Sequence, residues 1–256
     1  MLELAEAAAA GELLEAQPRR VRRELGIATA HLGGGVVTAV RADPTRYWSR
    51  AVGLGFAGPV TRAVVGEITA FWRAQGVPQG RIQLAPEVVP DDMAEIVAAQ
   101  ALAPGPVALK LAGRAEDVPP ARTALRVTEI APREAGAWSA AVCAAYELPE
   151  VLAPLWAPAA GHPRFVALGA WDGRELVAGA LLHVSGEMGE LAGAATLPGH
   201  RGRGAQSALL AARAAASGSR SLVAETGAEP GNRSLRNLRR AGLRVRYERP
   251  SWIWRC

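Results

Sequence analysis

The sequence predicts an α/β protein organised in two consecutive runs. Three observations carry this. Helical-period and β-branched segments alternate along the whole chain. A Pro-Pro pair at 119–120 interrupts that alternation near the middle. Half of the 256 residues are hydrophobic, which is enough to bury a sizeable core.

The elements follow in order. Residues 1–25 carry leucines among alanines and charges and predict a helix ending in Arg19-Arg20-Val21-Arg22-Arg23. Residues 26–40 are β-branched around Gly33-Gly34-Gly35 and predict two strands joined by a turn. A short strand is expected at 54–56. A helix follows at 59–75, with Pro59 in its first turn and Val60, Val64, Ile68 and Phe71 on one face. Strand 81–84, helix 91–102 and strand 107–111 complete the first run, and Glu116-Asp117-Val118-Pro119-Pro120 reads as a linker. The division expected is therefore 1–118 and 122–256.

The second run starts with strand 125–130, helix 132–148 and a proline-broken helical stretch to about 160. Three strands are expected at 165–171, 176–184 and 190–197, the first two joined by Asp172-Gly173, a strong hairpin turn. Helix 206–217, strand 221–225, helix 234–241 stopped by Gly242, and one or two strands within 243–254 end the chain.

Composition removes several classes. The two cysteines, Cys143 and Cys256, form no CxxC pair, so neither a disulfide scaffold nor a cysteine metal site is expected. No apolar run approaches the roughly 18 residues of a membrane span. The first residues are acidic where a secretory signal is basic. A cytoplasmic protein with no membrane partner is the expectation. Of the 29 basic residues only Lys110 is a lysine, a bias that makes the overall pI uninformative about partners. The distribution says more: residues 201–256 hold 12 arginines against three glutamates, a local net of +9, and the first 200 residues carry 17 basic and 21 acidic groups. One end of the chain is built to meet negative charge.

Within that end lies Ala194-Ala195-Thr196-Leu197-Pro198-Gly199-His200-Arg201-Gly202-Arg203-Gly204-Ala205-Gln206. A short strand enters an Arg/Gly turn that opens an amphipathic helix. Glycines let the backbone approach a ligand, and the first-turn N–H groups with the helix dipole suit an anion such as a pyrophosphate. Gly202-x-Gly204 with Glu225 further on mimics a dinucleotide fingerprint. That alternative fits poorly, because Ser207 takes the third small position, Pro198 to Arg201 separate strand from glycines, and no second nucleotide-binding half can follow.

Arg201-x-x-Gly204-x-Gln206 after a strand, followed by helix, strand and a second helix near Asn232, resembles the pyrophosphate loop of the GNAT acyltransferase superfamily. Gln206 stands where that motif has a small residue. Asn232-x-Ser234-x-Arg236-Asn237-Leu238-x-Arg240-Ala241-Gly242-Leu243 is similar to the family's next signature, one residue shorter between Asn and Ser. The resemblance covers about residues 122–256 and implies a mixed central sheet flanked by helices. Residues 1–118 parallel its later elements, but Gly55-Phe56-Ala57-Gly58-Pro59 lacks the loop arginine and the paired glycines. The whole chain therefore resembles a tandem GNAT protein with a degenerate first half, an unrelated α/β cap being the alternative.

The resemblance implies acetyl-CoA as donor and a small primary amine as acceptor, attacking the thioester directly. Its diphosphate would lie on Arg201, Gly202, Arg203, Gly204, Ala205 and Gln206. The pantetheine arm would use backbone groups of Ala195 and Thr196, together with Asn232. Such a reaction needs a base, an oxyanion donor and an acid. Glu190, at a strand start where some members carry a catalytic glutamate, is the first candidate base, and Glu225 the second. A solvated charge beside Glu187 is the competing reading of Glu190. The family's tyrosine acid would fall at Leu238, so Tyr247 is the candidate replacement, against a packing role. Cys143 and His183 are expected to be structural, His200 to flank the turn, and Trp252 and Trp254 to close a core or line an acceptor pocket. Glu147 and Glu150 are available for the acceptor's amine. No specific nucleic acid is expected, and the chain is a monomer or homodimer. A non-catalytic CoA-binding regulator is the alternative function.

Overall fold

The computed structural model describes residues 1–218 and 221–256. Two mixed sheets, each flanked by helices, account for the α/β prediction. The chain divides into two compact units, Met1–Leu109 with Tyr247–Cys256, and Lys110–Arg246.

The first unit begins with α1 (Leu2–Glu15) and α2 (Arg19–Leu25), not the single helix expected over 1–25. Pro18 separates them at φ −55° and ψ 145°, since it can begin a helix but not continue one. Strands β1 (Ile27–Leu32) and β2 (Gly35–Val40) form the expected hairpin, with Leu32 opposite Gly35. Both intervening residues, Gly33 and Gly34, have positive φ, as a two-residue hairpin turn requires. The next strand, β3, spans Arg50–Val52. The expected strand at 54–56 is absent because Gly53 and Gly55 take φ of 75° and 89°, outside any strand conformation. Helix α3 (Arg62–Gln75), strand β4 (Gln79–Gln83), helix α4 (Met93–Ala99) and a two-residue strand β5 (Ala103–Pro104) follow. Trp72, Ile68 and Val65 of α3 pack on Val37, Ala39, Ala51 and Ile82 of the sheet. The Trp72 indole donates to the Thr38 carbonyl at 2.9 Å.

Strand β6 (Ala108–Arg114) leads to the second unit: β7 (Arg126–Glu129), α5 (Ala135–Ala145), a 3₁₀ stretch at Glu150–Ala159, β8 (Phe165–Asp172), β9 (Glu175–Ser185) and β10 (Met188–Thr196). Then come α6 (Ala205–Ala216), β11 (Ser221–Gly227), α7 (Arg233–Arg240), β12 (Arg244–Arg249) and β13 (Ser251–Arg255). Leu168, Ala170, Val177, Ala178 and Ala180 of the sheet meet Ala205 and Leu209 of α6. On the other face Gly179 leaves room for Val142 and Trp138 of α5.

Strand order reveals a repeat. The first sheet runs β1-β2-β3-β4-β13-β5 and the second β7-β8-β9-β10-β11-β6-β12. Apart from β7, the two orders are the same, and in each the strand beside the last comes from the other half of the sequence. The unit boundary accordingly differs from the one expected at 118–122. Strand β6 belongs to the second sheet and β13 to the first.

Strand β13 brings Trp254 onto Trp72, with ring centroids 6.1 Å apart. Just before it, the buried Arg249 guanidinium donates to Glu3 Oε2 at 2.6 Å and to Glu6 Oε2 at 2.8 Å. Arg50 also donates to Glu6, at 2.8 Å. Replacing Arg249 with methionine strands two buried carboxylates, and is expected to cost about 3–5 kcal/mol in urea unfolding followed by tryptophan fluorescence. Residues 1–118 and 122–256 produced separately each lack an inner strand. Neither piece is expected to unfold cooperatively by circular dichroism, and co-expression should restore the transition.

Candidate functional site

The geometry that sets the second unit apart lies between β10 and β11. These strands pair in parallel at four positions, from Met188 with Ser221 to Leu191 with Ala224. Both then continue, β10 to Thr196 and β11 to Gly227, without further pairing. On its other side β10 stays on β9, but the register shifts between Ala192 and Ala195. Gly193 sits in this bulge with φ 54°. The strands therefore diverge into a wedge whose β10 wall, Ala192 to Thr196, has backbone groups to offer a ligand. The expected pantetheine residues Ala195 and Thr196 stand on that wall.

The wall leads into the Arg/Gly loop. Gly202 and Gly204 take φ of 84° and 85°, the left-handed region open to glycine. A Cβ on Gly204 would also lie 3.1 Å from the Arg122 carbonyl. Thr123 braces the loop by donating to the Arg203 carbonyl at 2.8 Å. Gly204 is the N-cap of α6 and no side chain caps that helix. The first-turn N–H groups of Ala205, Gln206 and Ser207 are thus directed outward, as an anion site requires.

The loop side chains are already engaged. Arg201 donates from Nε to the Thr196 carbonyl at 3.2 Å, and from Nη2 to the Ala145 carbonyl at 3.3 Å and Glu147 Oε1 at 3.0 Å. Glu147 itself is held at φ 57°, an uncommon conformation for a glutamate. Arg203 pairs with Asp172 of the β8–β9 turn at 2.5 Å. His200 lies 3.7 Å from Asp172 and 3.6 Å from Glu175. Gln206, in the place of a small residue, donates from Nε2 to Thr196 Oγ1 at 2.9 Å. Both loop arginines are thus shared with carboxylates, Glu147 and Asp172.

Glu190 is on β10, opposite His183 of β9 and Val223 of β11. It is 3% exposed, which removes the reading of a solvated strand-end charge. Its Oε2 lies 3.6 Å from Nζ of Lys110, itself fully buried on β6. Arg213 of α6 is a second buried cation acting on Glu190. Its guanidinium donates to the carbonyls of Leu181 at 3.1 Å and Leu209 at 3.2 Å, and burial brings its pKa down to about 10. Glu225 follows Ala224, the last β11 residue paired to β10, and strand alternation puts it on the face that Val223 shares with Glu190.

Other candidates lie elsewhere. Tyr247 belongs to the first unit, where its hydroxyl donates to Glu3 Oε1 at 2.8 Å. Burial, and then the Glu3 charge, push its pKa well above the ordinary tyrosine value. Its strand, β12, is the edge strand of the second sheet, three places along from the strand of Glu190. Trp254 is likewise in the first unit's core, with Trp252 packed against it. Asn232 caps α7, accepting from the Leu235 N–H at 3.0 Å. Its amide donates to Thr226, the Gly227 carbonyl and Glu229. Leu238 is buried, and Cys143 is buried beside the Leu148 and Pro149 carbonyls. His183 is buried against the Phe165 ring, 4.7 Å between centroids. Sequence reasoning missed Lys110 and Arg213. The one available signal was a lone lysine inside the apolar stretch 107–111.

No family model matches the sequence, and no curated protein matches it. Solved structures do. The GCN5-related N-acetyltransferase from Kribbella flavida superposes with a TM-score of 0.64 at 19% identity, over 95% of this chain and 94% of that one. The tandem GNAT protein from the clavulanic acid biosynthesis pathway gives 0.60 at 14% identity, over 98% and 95%. A protein of the GNAT family from Novosphingobium aromaticivorans gives 0.58 at 15%, over 99% and 97%. The chain has the GNAT fold, and it has it twice, in two mixed sheets that repeat one strand order. Among the described residues no helix is long and apolar enough to cross a membrane.

The Arg203 hydrogen bond, more than any other influence, lowers the Asp172 pKa. The pair therefore persists as pH falls through the ordinary aspartate value of about 3.9 and is lost only below it. In a carbon-13 NMR titration the Asp172 carboxyl is expected to titrate below that value, and to return to about 3.9 in Arg203→Gln.

Proposed function

We propose that the second unit is an acetyl-CoA-dependent N-acyltransferase that acetylates a primary amine of a small molecule by direct attack. The observation that carries this reading is the wedge between β10 and β11 opening onto the uncapped, double-glycine start of α6. Acetyl-CoA, when bound, supplies the thioester. The N–H groups of Gly202 to Ser207 would hold the diphosphate, with Arg201 and Arg203 turning from Glu147 and Asp172 towards it. The β10 wall would pair with the pantetheine amides as an added strand does, using Ala195 and Thr196. A backbone N–H freed by the bulge is placed to steady the oxyanion.

Glu190 takes the base role, receiving the ammonium proton directly or through one water. Glu225, on the same face beside the opening, is the second carboxylate for the acceptor's amine. The Tyr247 hydroxyl donates to Glu3, so the leaving thiolate would take its proton from water. The missing tyrosine supports one other reading, a CoA-binding regulator without turnover.

The first unit fits a degenerate copy. Its α3 occupies the place of α6, between parallel strands β3 and β4. There Thr61 caps the helix by accepting the Val64 N–H at 3.3 Å, and the preceding segment carries Pro59, which has no N–H to give. The groups that would hold a diphosphate are used or lacking.

Calorimetry with acetyl-CoA tests the site. Wild type is expected to bind in the micromolar range, about −8 kcal/mol. Gly204→Glu, which adds charge and a side chain at positive φ, should lose binding by about a hundredfold or more, with its circular dichroism spectrum retained. Glu190→Gln should bind acetyl-CoA normally and lose about 10²–10⁴-fold in kcat with an accepted amine. Absence of binding by the wild type would sink the enzyme reading; binding by both variants with no turnover on any amine would favour the regulator.

A further inference from the structure

The chain holds 28 arginines and one lysine, and the lysine is in a place where an exposed cation could never be. Lys110 lies on β6, in the second sheet between β12 and β11, and is 0% exposed. Lysine is among the residues least often buried, because stripping water from an ammonium costs several kcal/mol unless a counter-charge compensates. The counter-charge is Glu190, 3.6 Å away and on a strand two places along the sheet. Both groups are dry, so their attraction is little screened.

The remaining charged and titratable groups facing Glu190 can be named. His183 is its register partner on β9. Arg213 approaches from α6, and its own electrostatic neighbours are Tyr146, next to the end of α5, and Glu190. From β11 come Val223, which has no charge, and Glu225, two residues on and on the same face. Arg213 spends its guanidinium on carbonyls of Leu181, Leu209 and Ala192. Lys110 is the cation in ion-pair contact with the carboxylate.

The chemistry of the pair follows from this placement. A carboxyl group buried among apolar residues holds its proton at neutral pH and cannot accept another. An adjacent ammonium reverses that preference. An ammonium also concentrates its charge at one atom on a slender stem, where a planar guanidinium would need room for five donors.

We propose that Lys110 is a positioning residue for Glu190: its ammonium keeps the Glu190 carboxylate ionised and fixed in the second unit, ready to receive the acceptor's proton. This rests on the reading of Glu190 as base. The last strand of the first half of the sequence then supplies part of the acid–base apparatus of the second unit. The exchange of β6 is chemical as well as architectural.

Being the only lysine, Lys110 can be observed alone. Protein labelled with nitrogen-15 lysine gives one side-chain ammonium signal, and that signal is expected to exchange slowly with water. In Glu190→Gln the buried ammonium loses its counter-charge, and its signal should move and exchange faster with water. An ammonium signal unchanged between the two proteins would overturn the pairing, without any assay of activity.

The second arm is kinetic. Lys110→Met removes positive charge beside a buried carboxylate, so the acidic limb of the kcat/KM profile should move up by at least about one pH unit. Acetyl-CoA affinity should stay within about twofold, since the loop is untouched. Turnover with an unmoved limb would overturn the role of Lys110 while leaving the acyltransferase reading intact. No acetyl-CoA binding by the wild type would overturn that reading and this role with it. Should Lys110→Met fail to fold, the labelled Glu190→Gln protein decides.

Discussion

A sheet deprived of an inner strand exposes two rows of backbone N–H and C=O groups, and burying them unpaired is prohibitive. In this chain each sheet meets that demand with a strand from the other half of the sequence. Strand β13 fills the gap between β4 and β5, and β6 fills the gap between β11 and β12. Much else depends on the exchange. It carries Trp254 into the first core and sets Lys110 against Glu190, while the end of β12, just before β13, brings Tyr247 and Arg249 to Glu3 and Glu6. Residues that look like the end of an active domain are thereby the interior of its neighbour in sequence.

The second unit shows how a sheet can be opened without being weakened throughout. The four paired positions of β10 and β11 keep the strand starts together at Glu190, where buried charge has to be held still. Beyond Leu191 the bulge at Gly193 turns β10 away, and the same strand then feeds the glycine loop. Charge fixation and ligand access sit at opposite ends of one nine-residue strand. Around the loop, Glu147 and Asp172 occupy its arginines. These are exposed pairs with little to give in stability.

Local sequence made most elements legible because their signals are local. Gly33-Gly34 fixes a hairpin turn, Pro18 and Pro59 mark helix starts, and Arg201 to Gln206 announces a glycine turn opening a helix. The strand expected at 54–56 failed on the same physics: Gly53 and Gly55 adopt left-handed φ, and Leu54 between them packs in the core from a turn. Strand exchange, by contrast, leaves no local trace. The stretch 107–111 reads as a strand whichever sheet it joins, and Ser251–Arg255 alternates identically in either. Hence Tyr247 and Trp254 were legible as residues but not as neighbours. Glu190 was found from its place before the loop, while its burial and its lysine required β6 to be put in the right sheet.

The two helices α3 and α6 also show how narrowly a capped helix start differs from an uncapped one. Both α3 and α6 cross over between parallel strands, and both begin after a glycine-containing turn. At α3 the Thr61 hydroxyl takes the Val64 N–H, so one of the few donors a helix start can offer is spent inside the protein. At α6 the cap is Gly204, with no side chain to compete, and its left-handed φ turns the loop backbone towards the same opening. A helix dipole is present in both, so it cannot be what distinguishes them. What distinguishes them is whether the N–H groups remain to be used. A good cap stabilises a helix by about 1 kcal/mol, and α6 forgoes that contribution where a ligand can supply it instead.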